Sequence, residues 1–106
     1  EKMDIVRKEF ENRGIQISPV SLTFYDEGTA IDMILRCKQL GYKIVGIDSF
    51  KIEGITTQPF MEHSIDYLYS EYGSKGFGCW DEAIEFIKSK RKYGLVFDIF
   101  YNEMEY

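Results

Sequence analysis

One histidine, two cysteines, two prolines and one tryptophan are spread over 106 residues, and each scarcity removes a class of chemistry. With His63 alone and no Cys-x-x-Cys, the usual zinc ligands cannot be assembled, and neither a metal nor another cofactor is expected. Cys37 falls inside a helical pattern and reads as a small core residue. The simpler reading of Cys37 and Cys79 is two thiols in a reducing compartment, and a Cys37–Cys79 disulfide is the alternative. Cations are in deficit: Lys and Arg number 13 against 18 Asp and Glu, a net charge of −5. That balance argues against nucleic-acid binding, which needs basic side chains at phosphates, and favours steering toward a cationic partner. Apolar runs last only a few residues, so no segment reads as crossing a bilayer. No charged-then-apolar stretch of signal type opens the sequence, and a cytoplasmic location is the expectation. Repeats, low-complexity tracts and linkers are missing, which predicts one domain spanning residues 1–106.

What is there is apolar and aromatic. Hydrophobic residues make up 44% and aromatics 16%, which argues against disorder. Met3, Val6 and Phe10 recur at helical spacing over residues 2–13, and Gly14 ends that pattern. Residues 15–25 read as a loop. Residues 29–40 form the clearest helix, with Thr29 as its cap and a broad apolar face of Ala30, Ile31, Met33, Ile34, Leu35, Cys37 and Leu40. Asp32 and Arg36 stand at i, i+4 and predict a weak ion pair. Gly41 stops the helix.

Residues 42–52 read as a strand whose Ile-Val-Gly-Ile centre is apolar on both faces, as in the middle of a sheet. Glu53-Gly54 signals a turn, residues 55–58 a hairpin return ended by Pro59, and residues 64–69 an edge strand. Residues 81–92 form a second amphipathic helix with Trp80, Ala83, Ile84 and Ile87 on its buried stripe. Acids gather at its start and bases at its end, as the helix dipole favours. Residues 95–101 make the last strand, and residues 102–106 a fraying tail. The expected fold is α+β, a single domain with a small mixed β-sheet packed against two to three helices. Ile34, Ile47, Ile87 and Phe97 are expected in its core.

Several patterns invite a chemical reading. Lys-Ser-Lys-Arg-Lys at 88–92 resembles a nucleic-acid patch, but helix-end charge complementarity accounts for it. The glycines of residues 73–78 reverse the dinucleotide fingerprint and lack its strand-to-helix setting. His63 with Cys79 or Asp66 lacks any orienting motif for nucleophilic catalysis. Asp48 and Asp98 are the one respectable catalytic hint, because each carboxylate interrupts an otherwise apolar strand. If those strands were parallel neighbours, the pair could share a divalent cation or a proton, as in a small metal-dependent phosphoesterase. The other reading is structural: both are mid-strand, hydrogen-bonded or pointing outward.

The richest stretch is residues 62–82. It holds five carboxylates (Glu62, Asp66, Glu71, Asp81, Glu82) against the single Lys75. Tyr67, Tyr69, Tyr72, Phe77 and Trp80 interleave them, and Gly73, Gly76 and Gly78 break regular structure. Tyrosines amid acids suit a protein interface: aromatics anchor and carboxylates steer. Glu62, Asp66, Tyr67, Tyr69, Glu71, Tyr72 and Asp81 are therefore the candidate partner-binding residues. Solvated acids and half-buried tyrosines at a sheet edge are the plainer account.

Gly46-Ile47-Asp48, Gln58-Pro59, the helix stripe at 83–87 and the strand at 95–101 together resemble the small immunity proteins of bacterial polymorphic-toxin and contact-dependent-inhibition systems. The likeness covers roughly residues 29–103 and rests on fold-determining positions; Ile47 stands where some members carry a second glycine. It implies a protein without enzymatic activity that binds a cognate toxin domain in the cytoplasm and covers its active site. The partner it implies is a basic protein, commonly a nuclease, with neither nucleic acid nor membrane as a direct partner. A generic protein–protein interaction module is the remaining alternative.

Overall fold

The first strand decides the layout of the computed structural model, which describes residues 5–16, 23–54, 56–59, 64–66 and 79–103. Strand β1 (Tyr42–Glu53) pairs antiparallel along nearly its whole length with β4 (Val96–Glu103), Tyr42 opposite Glu103 and Phe50 opposite Val96. The register shifts between Ile44 and Gly46. That irregularity turns Ile44 and Ile47, three residues apart, onto one face, where both are fully buried.

Gly54 turns the chain at a φ of +62°, where glycine carries no steric penalty. The return strand β2 (Thr56–Pro59) pairs with Phe50–Glu53, and β3 (Ile65–Asp66) with Gly46 and Ile47. Because β4 already holds one side of Gly46, Ile47 and Phe50, β2 and β3 must share the other side as two pieces of an interrupted strand, which is the outer one among the described residues. Ser64 fills the gap between them: its hydroxyl oxygen accepts from the Ser49 amide at 3.1 Å. Pro59 ends β2 on this outer strand, where a missing N–H is tolerated.

On the far side of β4, Tyr25 and Phe97 exchange two backbone hydrogen bonds of 2.8 Å, and Phe24 pairs likewise with Ile15. The segment expected as a loop thus supplies two bridges that extend the sheet. All described strand pairings are antiparallel, which corrects the expectation of a mixed sheet. β3 and β4 nevertheless run the same way with β1 between them, as the helical crossover that joins them demands.

Helix α1 (Ile5–Glu9) ends earlier than the periodicity predicts and gives way to a 3₁₀ turn at Glu11–Arg13. Helix α2 (Glu27–Leu40) starts two residues earlier than expected. Its cap is Asp26, not Thr29: the Asp26 carboxylate accepts from the Thr29 amide at 2.8 Å. Gly41 closes it in the left-handed conformation. Arg36 binds Glu9 at 2.9 and 3.0 Å, and Arg13 binds Asp32 at 2.9 Å. Charges from the first segment of the chain thus replace the Asp32–Arg36 pair expected within α2. Helix α3 (Trp80–Ser89) is followed by a 3₁₀ turn at Arg91–Tyr93, and Gly94 ends that turn at a φ of +64°.

The architecture is α+β. Alternation along the strands puts Ile44, Ile47, Phe97 and Ile99 on the face that meets Met33, Ile34 and Cys37 of α2 and Ala83 and Ile87 of α3. Ile34, Ile47 and Ile87 are fully buried and Phe97 is 1% exposed, as expected from the sequence. Trp80 is only partly buried, with its indole N–H donating to the Tyr42 carbonyl at 2.8 Å. No described helix is long and apolar enough to cross a membrane.

Ile87→Ala should cost about 2–5 kcal/mol, read as a lowered denaturant midpoint with an unchanged m-value; an unmoved midpoint would place α3 in the wrong register. Asp26→Ala should cost about 1 kcal/mol at pH 7. The Thr29 amide, then its hydroxyl, hold the Asp26 carboxyl below its ordinary value against a small opposing burial effect. That stabilisation is present above the unfolded-state pKa and lost as pH falls through the lowered folded value. The cost of Asp26→Ala should therefore vanish in acid, and a cost that grew in acid would contradict the cap.

Candidate functional site

Asp48 and Asp98 stand directly opposite each other on β1 and β4. The juxtaposition that the sequence made conditional on parallel strands arises instead across an antiparallel pair. Alternation places both on the sheet face away from α2 and α3, together with Phe24, Phe50 and the exposed Phe100. The rings of Phe24 and Phe50 lie 4.8 Å apart between centroids. Like charges directly opposed across a ladder repel, and Asp98 is 7% exposed, so water relieves little of that repulsion.

Relief comes from Arg7. Both guanidinium Nη atoms lie 3.3 Å from one Asp98 oxygen, and Nη2 donates to the Ile99 carbonyl at 2.6 Å. Phe97 turns its amide and carbonyl toward Tyr25, so two residues on the Ile99 carbonyl faces the same outer edge of β4. One guanidinium therefore satisfies an edge carbonyl and a buried carboxylate together. The same group lies 5.5 Å from the centre of the Tyr101 ring, over its face. Burial is the largest influence on the Asp98 carboxyl and pushes its pKa up. Arg7 opposes that rise by charge and hydrogen bond, and Asp48 adds to it.

Sequence reasoning missed Arg7. It is an ordinary polar position on a short amphipathic helix, and its partner lies 91 residues away. No local pattern marks it. Chemically, the arrangement neutralises a carboxylate and fastens α1 to the sheet edge. Among the described residues no group of three or more His, Cys, Asp or Glu side chains is placed to hold a metal ion.

The acidic, aromatic segment is seen at its two ends. Asp66 sits in β3 opposite Gly46, on the outer side of β1. Asp81 lies in the first turn of α3 with its side chain 82% exposed and an oxygen 3.5 Å from Lys38 Nζ. Glu62, Tyr67, Tyr69, Glu71 and Tyr72 lie outside the described residues, as do His63 and the glycines at 73–78.

The basic run is largely engaged within the chain. Arg91 grips the Glu27 carboxylate at 2.6 and 3.0 Å, the Lys90 ammonium lies over the Phe86 ring, and Lys92 over Tyr93. The Arg91 hydrogen bond is the main reason the Glu27 carboxyl is held below its ordinary pKa. These contacts account for the run without a polyanion.

The chain matches no family model, no curated protein and no solved structure.

Two substitutions separate the parts of the Arg7 clamp. Arg7→Ala strands a buried carboxylate and an edge carbonyl, and should cost about 1–3 kcal/mol at pH 7. Asp98→Asn keeps an acceptor for Arg7 and removes the repulsion from Asp48. It should be within about 1 kcal/mol of the parent or more stable at pH 7. Because the folded pKa of Asp98 is raised, its favourable contribution is complete below the unfolded value and is lost as pH rises through the folded one. The stability of Asp98→Asn relative to the parent should therefore improve from pH 4 to pH 7. Denaturant titrations at both pH values check this, and a variant that fares best in acid would contradict it.

Proposed function

We propose that this chain is an immunity protein: it binds a cognate toxin domain in the cytoplasm and covers the toxin's active site. The observation that carries the reading is the placement of the acidic segment's described ends. Asp66 lies on the interrupted outer edge of the sheet, and Asp81 projects from the first turn of α3. An outer strand is where a partner chain can approach backbone groups. Carboxylates around it would mimic the charge of a nuclease's phosphate substrate and speed encounter with a basic groove. The net charge of −5 supports the same polarity. A basic protein with nuclease activity is the partner of this description.

The Asp48–Asp98 pair is the other concentration of chemistry, and a small metal-dependent phosphoesterase would be built on it. The engagement of Asp98 by Arg7 favours a structural role for the pair. Asp48→Asn leaves the clamp intact and is expected to leave toxin protection unchanged.

The test is co-expression with a candidate toxin domain, sought first in any large secreted protein encoded directly upstream. That domain alone should arrest growth, and this chain should restore it. With the purified pair, Asp66→Asn combined with Glu71→Gln should slow association at low salt and flatten its salt dependence. Tyr69→Ala should speed dissociation by about 30-fold if that ring is a buried anchor. Unchanged rates for all of these, with protection abolished by changes at Asp32, Arg36 and Gln39, would move the interface to α2. Failure to neutralise the domain would refute the assignment.

A further inference from the structure

Two thiols outside the carboxylate pair stand at the ends of α2 and α3 that lie against each other. Cys37 lies in the last turn of α2, and its carbonyl accepts from the Gly41 amide that closes the helix. Cys79 is the N-cap of α3, and its carbonyl accepts from the Ala83 amide at 2.9 Å. Arg91 reaches Glu27 at one end of the helix pair, and Lys38 reaches Asp81 at the other. The helices therefore run antiparallel, with the last turn of α2 against the first turn of α3. The Trp80 indole closes the same corner from the strand side through the Tyr42 carbonyl. Cys37 and Cys79 are 0% and 4% exposed, belong to one buried cluster, and are both thiols.

The backbone at Cys79 adds a second observation. Its φ is +60°, and among the described residues it is the only non-glycine with positive φ. Its side chain makes no cap hydrogen bond. Glycine would occupy this position without the steric cost of a Cβ in the left-handed region. What the cysteine supplies in exchange is a sulfur at the helix end that lies against the last turn of α2, where Cys37 stands.

We propose that Cys37 and Cys79 form a dithiol–disulfide couple that locks the end of α2 to the start of α3 when the surroundings become oxidising. The oxidant is a small disulfide of the glutathione class. One protein thiolate attacks it and releases one glutathione thiolate, leaving a mixed disulfide. The second protein thiolate then attacks the protein sulfur of that mixed disulfide and releases the second glutathione. Two S–H bonds are lost and one protein S–S bond forms, while two protons and two electrons end on two glutathione thiols. Burial, with a smaller contribution from Glu82, raises the Cys79 pKa against the opposing charge of Lys43. Little thiolate is then present, which keeps the dithiol form in a reducing compartment and makes oxidation wait for local opening of the corner.

The experiment equilibrates the intact chain in glutathione buffers of graded ratio, starting once from the reduced protein and once from protein refolded under oxidant. Mass spectrometry after acid trapping should show a monomer lighter by two hydrogens, with a peptide linking Cys37 to Cys79. Both starting points should give the same oxidised fraction at each ratio. The oxidised form should melt about 10 °C or more above the reduced form, because the bond closes a long loop. Cys79→Gly relieves the backbone and removes the sulfur, so it should fold and its melting temperature should ignore the buffer. Cys37→Ser should behave likewise. Glutathione adducts or intermolecular dimers alone, a linkage that forms only in denaturant, or an oxidised form that melts lower would overturn the proposal.

Discussion

Everything in the described sheet is held by the double pairing of β1. Its amides and carbonyls are shared between β4 on one side and β2 with β3 on the other. A strand so placed has no free edge and must present side chains to both faces of the sheet, hence the apolar Ile44–Ile47 centre. The register irregularity beside Gly46 lets Ile44 and Ile47 both enter the core. α2 and α3 then cover that face, and two charge pairs at opposite ends, Glu27–Arg91 and Lys38–Asp81, line the helices up over it.

The same pairing creates the structure's electrostatic problem. With β4 fixed against β1, Asp98 has no choice but to face Asp48. The solution is brought from the other end of the chain: α1 carries Arg7 to the outer edge of β4, where Ile99 offers an outward-facing carbonyl and Asp98 a buried carboxylate. A clamp of this kind couples the placement of α1 to the ionisation of Asp98. It also gives the carboxylate pair a reason to exist that does not require catalysis.

Regular elements were legible because their signals are local. The apolar stripes of α2 and α3 and the double-sided strand at 42–52 follow from spacing alone. What failed was decided at long range. Thr29 and Asp26 are both competent caps, and the bridge from Tyr25 to Phe97 fixes where the chain turns into α2, leaving Asp26 in the capping place. Asp32 and Arg36 had the right spacing for each other, but Arg13 and Glu9 reach them from the first segment. Arg7 carries no mark in its neighbourhood at all. Of the candidate site, the acidic character and the two aspartates that interrupt apolar strands could be read from the sequence, but not their adjacency, which depends on how β1 and β4 pair. The geometry around those aspartates could not, because it depends on a contact between the chain's two ends.

We propose that the working surface is the outer edge bearing Asp66 together with the start of α3, and not the sheet face bearing Asp48 and Asp98. Hydrogen exchange of the chain alone and bound to the neutralised toxin domain tests it most directly. Protection gained over β3 and the first turn of α3, with Asp48 and its neighbours on β1 unchanged, is the predicted footprint. Protection centred instead on the strand residues around Asp48 and Asp98, with β3 and α3 unaffected, would put the partner on the opposite sheet face.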